Sequence, residues 1–585
     1  MLACFDYYIE EMKIFVTAVL LVICNIINAQ ALRNDIVMDE IMADPSPAAL
    51  LINGLPEMEY IELKNVSQKI INLNGWKISD LTTTATINTS FILQPDSFVI
   101  ICSTTSALKL SAFGRCLPVS NFPSLDNEGE LLFLTSRDGR IIHAVEYSNK
   151  WYNNAVKSMG GWSLEMIDTK NACSGASNWK SSTNARGGTP GKRNAIDTSN
   201  PDQVAPVLLH TFANDSIHLT LIFDEPLDSL NAAITANYLV SDGIGSPVNA
   251  VVGSPLFNSV TLLLQQPLQH NKVYSVVSKN VNDCSGNKIG AINFAKAGLA
   301  SAIENADVVI NEILFNPKPD GCDFIELVNR TDKIVDLKDL FIANRPGGAV
   351  PGSLKQLSIS SLFLFPNEYV TINENTQSTR QIYRPINPGA FIELSSLPSF
   401  PDDKGTVVLL NAMGQVIDEV AYTEKWHFKL IDNHEGISLE KIDINKPSQN
   451  PANWHSAATS AGYGTPGYRN SQFMSALSVD EAISISPKVF SPDNDGRDDM
   501  VTINYKFPEP GYVCNITIYS SNGLSVKRLT RNALCGLNGY FRWDGLNEQD
   551  SKLQVGVYVM ITEVFTLQGQ VKKFKNAFVL ARQLK

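Results

Sequence analysis

The 585-residue chain has no Cys-x-x-Cys pair, no run of lysine and arginine, and no sustained 3.6-residue apolar period beyond its first thirty residues. Each absence removes a class. Without paired cysteines or a histidine cluster (seven histidines stand singly), no zinc site is proposed by spacing. Without a basic run, and with a net charge of −12, phosphate affinity has no source, which argues against a nucleic-acid partner. Without amphipathic periodicity, helical bundles are excluded. The composition, 44% hydrophobic and 18% charged, is that of a packed chain with room for several domains.

One apolar run is present. Met12-Lys13 precedes Ile14–Ile27, and Ala29-Gln30-Ala31 offers a small-x-small cleavage site. The run is short for a bilayer span, so residues 1–31 are expected to be a signal peptide. Ile23 is too large for a lipoprotein signal ahead of Cys24. Cys4 and Cys24 fall in this leader. Cys102, Cys116, Cys173, Cys284, Cys322, Cys514 and Cys535 remain, an odd number. In an exported protein, Cys102–Cys116 and Cys514–Cys535 are the candidates for local disulfides.

The chain also repeats itself. Gly188–Asn194 reads GTPGKRN and Gly464–Asn470 reads GTPGYRN. Aligned outward, SLEMID (Ser163–Asp168) meets SLEKID (Ser438–Asp443), and VEYSNKW (Val145–Trp151) meets VAYTEKW (Val420–Trp426). VMDEIMADP (Val37–Pro45) meets VINEILFNP (Val309–Pro317), and EYIELKN (Glu59–Asn65) meets DFIELVN (Asp323–Asn329). The order is kept throughout, so residues 35–195 and 306–471 are two copies of one domain. Their short alternating runs, the β-branched stretches Phe98–Cys102 and Thr406–Asn411, and the turns at Arg137–Arg140 and Asn411–Gln415 predict an all-β sandwich. The heptapeptide is expected to mark the exit of each sandwich, proline fixing φ and glycine permitting a left-handed turn.

These motifs resemble the lamin tail domain, an immunoglobulin-like sandwich whose bacterial form opens with Asn-Glu-Ile, Asn-Pro and Asp-x-Ile-Glu-Leu-x-Asn. The second copy carries all three; the first has Asp39 and Asp44 where the pattern has asparagine. Residues 201–298, with FDEPLD (Phe223–Asp228) and NDCSGN (Asn282–Asn287), resemble bacterial Ig-like domains of surface-layer and adhesin proteins. Residues 485–585 begin PKVFSPDNDGRDD and continue through WDG (Trp543–Gly545) and GVY (Gly556–Tyr558). They resemble the gliding-motility-associated C-terminal domain of Bacteroidetes proteins, and also the Ig-like part of the flagellar hook-capping protein.

The resemblances imply four immunoglobulin-like sandwiches after a signal peptide, in a non-catalytic protein that is secreted or held at the outer cell surface. Its partners would be a type IX-like export machinery and an extracellular protein or polysaccharide. The alternative they imply is an accessory module, binding polysaccharide or nucleic acid for a separate hydrolase.

Three sets of residues are candidates for a site. Asp493, Asn494, Asp495, Asp498 and Asp499 offer oxygen ligands around Gly496, as Ca²⁺ requires, or cap their own turn. Glu40/Glu62 and Glu312/Glu326 are carboxylate pairs for ion or ligand contact; the other reading has them bonded to backbone at strand ends or facing solvent. Trp151/Trp426 and Trp179/Trp454 stack on sugars or pack in the core.

Overall fold

The computed structural model describes residues 30–46, 54–348, 350–429, 431, 433–474, 482–493, 497–566 and 569–582. The expected leader lies outside these up to residue 29, as do Asn494 and Asp495 of the acidic loop. The chain is all-β and divides into two compact units: Met1–Pro267 with Tyr274–Ala297, and Leu268–Val273 with Gly298–Lys585.

In the first unit, one six-stranded sheet runs in the order Trp179–Ser181, Leu164–Met166, Ile36–Met42, Tyr60–Asn65, Phe98–Ser103, Cys116–Val119. A four-stranded sheet of Ile141–Glu146, Leu131–Thr135, Lys77–Ser79 and Thr84–Thr86 packs on it. Ile41, Ile61, Leu63, Val99 and Ile101 meet Ile78, Leu132 and Leu134 in the core between them. The second unit repeats this plan. Its six strands are Phe391–Glu393, Tyr369–Asn373, Phe324–Asn329, Val308–Leu314, Leu439–Lys441 and Trp454–Ser456. Lys355–Gln356, Leu340–Asn344, Lys404–Asn411 and Val416–Thr423 form its four-stranded partner. The turns at Arg137–Arg140 and Asn411–Gln415 close the expected hairpins.

The first unit also holds sheets of four strands (Leu208–Ala213, His218–Phe223, Ser259–Leu263, Asn249–Val252) and three strands (Tyr238–Val240, Tyr274–Ser278, Phe294–Ala297). In the second unit, strands between Ala482 and Leu580 form sheets of three and five around Phe490, Trp543, Tyr558 and Phe578.

The central strands of the six-stranded sheets break a rule of antiparallel sandwiches. YIEL and FIEL alternate polar with apolar, which normally leaves the polar face in water. Yet Tyr60–Asn65 and Phe324–Asn329 are buried at every position. The outer face of each sheet is covered by chain that returns after the last strand, and this covering segment is the repeated heptapeptide.

The disulfide expectation is corrected. Cys102, Cys116, Cys514 and Cys535 are free thiols, and the disulfide joins Cys173 to Cys284. Cys116 lies in register with Ile100, two residues short of Cys102. Cys514 pairs with Ala533, so Cys535 falls beyond it. Each local pair is set diagonally across its ladder, with its two thiols in contact but unbonded.

Candidate functional site: carboxylates under a strap

The bulge that shifts register between Met38 and Glu40 places Glu40 opposite both Glu62 and Glu165. The same bulge between Ile310 and Glu312 places Glu312 opposite Glu326 and Glu440. Three glutamates therefore stand side by side on the outer face of each sheet, and all six are 0% exposed. The pairs named from sequence are brought together, but mid-strand and away from water. Glu165 and Glu440 complete the sets. Their signal was the repeated SLE, 125 residues downstream in the first copy and 128 in the second (165 − 40, 440 − 312).

A buried carboxylate persists only with hydrogens aimed at it. The heptapeptide supplies them. Thr465 N donates to Glu312 Oε1 at 2.8 Å, and Thr465 Oγ1 reaches Glu312 Oε2 at 3.0 Å and Glu440 Oε1 at 2.9 Å. Gly467 N donates to Glu326 Oε2 at 2.6 Å. In the first copy, Thr189 N donates to Glu40 Oε1 at 2.7 Å, Thr189 Oγ1 to Glu165 Oε1 at 2.8 Å, and Gly191 N to Glu62 Oε2 at 2.5 Å. Asn194 and Asn470 finish each strap by donating to backbone carbonyls of two neighbouring strands. The heptapeptide is thus more than an exit turn: it is a strap that caps the carboxylates. Its glycines let it lie close. A Cβ on Gly188 would stand 2.6 Å from Glu40 Oε1, and one on Gly191 (φ +78°) 2.6 Å from the backbone of Gly114.

Burial, then the neighbouring Glu165, pushes the Glu40 carboxyl up to about 7. Burial, then Glu440, pushes Glu312 up to about 8. Glu62 and Glu326 are also held well above the usual range, by burial first. Both triads are sealed from solvent, and each glutamate accepts at least one hydrogen from its strap. Neither a substrate nor a cation is offered an approach, so the arrangement staples the strap to the sheet.

These two regions have a family. Residues 29–149 and 301–424 match the Lamin Tail Domain model. The matched stretches include the first two glutamates of each triad and stop before the third and the strap. No curated protein matches the chain. Among solved structures, the chain is similar to the N-terminal part of the bacterial S-layer protein SbsC, at 15% identity and a TM-score of 0.16, covering 29% of this chain and 40% of that one. It is similar to CopC from Methylosinus trichosporium OB3b at 17% and 0.12, covering 18% and 98%. It is also similar to a Ca²⁺-stabilised adhesin with which an Antarctic bacterium binds ice, at 8% and 0.11, covering 95% and 100%. At those scores the likenesses carry no functional argument.

The remaining candidates fall elsewhere. In the acidic loop, Asp493 N donates to Asp499 Oδ1 at 3.1 Å and Ser491 N to Asp498 O at 2.9 Å, the bonding of a turn. Trp179 and Trp454 are core residues, 4% and 3% exposed, whereas Trp151 and Trp426 are half-buried and pack against them at 6.1 and 6.3 Å. Among the described residues, the carboxylates placed for an ion are Asp202, Glu225 and Asp283, with oxygens within 4.8 Å of one another. Glu225 and Asp283 lie in the FDEPLD and NDCSGN motifs. Burial, then Asp202, lifts Glu225 to about 8. Asp283 already accepts from Ser285 N, Asn287 N and Asn287 Nδ2 and so fixes its own loop.

A cavity of about 790 Å³ opens in the second unit. Lys425, Trp426, Phe428, Lys429, His455 and Phe565 line it, and none of its described lining residues is acidic. Among the described residues, no helix is long and apolar enough to cross a membrane.

Proposed function

We propose that this chain is a non-catalytic exported scaffold, secreted or displayed on the outer cell surface, whose last module directs it to a type IX-like export machinery. The observation that carries the non-catalytic reading is the sealing of both carboxylate triads. Acid–base catalysis needs carboxylates that meet a substrate with separated proton affinities, and here every one is spent on the strap. Protease accessibility on intact host cells tests the export half, comparing the full chain with one ended after Glu481. Surface digestion of the full chain but not the truncated one supports it; identical behaviour sinks it. Hydrolysis of phosphodiesters, esters or glycosides by the purified chain with divalent metals would overturn the non-catalytic half.

A second reading, binding of an anionic polysaccharide, is favoured by the cavity at Trp426. Ring faces suit sugar stacking, and two lysines in a lining with no acidic residue among those described suit uronate carboxylates in a chain whose net charge is −12. Retention on polygalacturonate but not on neutral glucan, reduced by Trp426→Ala and by Lys429→Ala, is expected. Equal retention on both polymers rules it out.

A further inference from the structure

The two copies differ at one buried position where the difference is chemical, not steric. In the second copy, the bulge residue Asn311 turns its amide into the site: Nδ2 donates to Glu326 Oε1 at 2.8 Å and to Asn470 Oδ1 at 2.7 Å. In the first copy the residue at that bulge is Asp39, 1% exposed. The strap around it is bonded alike, although Tyr60 donates to Glu40 where the second copy has Phe324, and Thr371 donates to Glu326 where the first has Ile100. Asn194 Nδ2 donates to Asp39 O and Met166 O at 2.9 Å each, as Asn470 does to Asn311 O and Lys441 O at 2.8 and 2.9 Å. Gly191 N takes one oxygen of Glu62, as Gly467 N takes one of Glu326. The two hydrogens of the amide are missing. Glu62 Oε1 and Asn194 Oδ1, the counterparts of the two acceptors that Asn311 bonds, are left buried with no donor, beside Asp39 Oδ1, which like Asn311 Oδ1 has none.

We propose that the first copy is a proton-held latch: Asp39 stands in for Asn311 as the neutral acid, its single proton bonding the site together, and loss of that proton loosens the Gly188–Asn194 strap. A proton on Asp39 supplies one of the two hydrogens that the amide gives in the second copy. The charged groups facing Asp39 agree. Glu40 on its own strand, Glu62 beside it and Glu165 on the next strand are all acidic. The cation acting on Asp39 is Lys64, whose Nζ is turned to Asp96 at 3.5 Å and Thr169 at 3.3 Å. On the opposing sheet, His143 accepts from Met38 N at 3.2 Å, and burial keeps its pKa near 4, so it is neutral. On the strap, Arg193 is bound to Asp197 at 2.6 Å. The second copy has the buried Lys441 and Asp418 where the first has Met166 and His143, so the first lacks that internal charge pair as well.

The sign follows from linkage. A carboxyl held protonated by the fold contributes fully below its free pKa, and that contribution is lost as pH rises from there through the folded pKa. Hydrogen exchange of the full chain, read by mass spectrometry on peptides covering 188–194 and 464–470, tests this at about pH 6 and about pH 9, after correction for intrinsic rates. Both straps lose some protection as their glutamates ionise, and the first is expected to lose about tenfold more than the second between them, with Asp39→Asn removing that excess. Asn311→Asp is expected to import the same excess into the second strap. A first strap that loses no more than the second, or an excess unchanged by Asp39→Asn, overturns the proposal. Because Asp39→Asn installs the arrangement the second copy already uses, its folding is not in question.

Discussion

The backbone N–H of Gly467 meets the Glu326 carboxylate at 2.6 Å across 141 residues of chain. The equivalent bond from Gly191 to Glu62 spans 129. In both copies the last segment of the domain is tied to its second central strand by a short, buried hydrogen bond.

Gly191→Ala is expected to destabilise the first sandwich by about 1–3 kcal/mol, from a left-handed φ forced on alanine and a Cβ driven into Gly114. Gly414→Ala, in a hairpin with a similar φ and open space around it, is expected to cost no more than about 1 kcal/mol. Chemical denaturation of the two variants checks the difference.

Thr465→Val keeps the shape and removes the hydroxyl hydrogen shared by Glu312 and Glu440. A loss of about 1–3 kcal/mol is expected, with Thr465→Ser near neutral. A near-neutral valine variant would show that the bridging hydroxyl adds nothing.

The two triads make the fold sensitive to alkali as a whole. Glu40, Glu62, Glu312, Glu326 and Glu440 have folded pKa values above the free value of 4.5, at about 7 for Glu40 and about 8 for Glu312. The stabilising contribution is complete below the free value and disappears as pH rises through the folded ones. Melting temperatures are expected to fall steadily from mildly acidic buffer to about pH 9. A flat or rising profile contradicts it.

The bond between Cys173 and Cys284 closes a loop with a sequence separation of 111. Its removal by Cys173→Ser is expected to cost about 2–5 kcal/mol in the first unit. Non-reducing peptide mapping should recover the two cysteines in one linked species, with Cys102, Cys116, Cys514 and Cys535 alkylated as free thiols.

Much of this was legible beforehand. The alternation in YIEL and FIEL, the hairpin turns and the internal alignment together specify two like sandwiches, because those signals are local or repeated. The glutamates were visible as a repeat but were placed wrongly at strand ends or in solvent. Alternation predicts an exposed polar face, and only a segment more than a hundred residues away reverses that. The strap was read as a turn for the same reason: its proline and glycines announce their backbone geometry, while its Thr and N–H groups act on residues far off in sequence. The disulfide has no local signal, because Cys173 and Cys284 stand 111 residues apart in sequence.

The Cys173–Cys284 bond also sets how the chain bears load. Tension applied along the backbone passes from one sulfur to the other and skips the residues between, among them the Gly188–Asn194 strap. That strap is shielded from peeling, and roughly 370 Å of contour stays hidden until the bond is reduced. The Gly464–Asn470 strap has no such bypass among the described residues and lies in series with the pull. A protein tethered at both ends would therefore yield at its second sandwich before its first, and gain the hidden length only in a reducing medium.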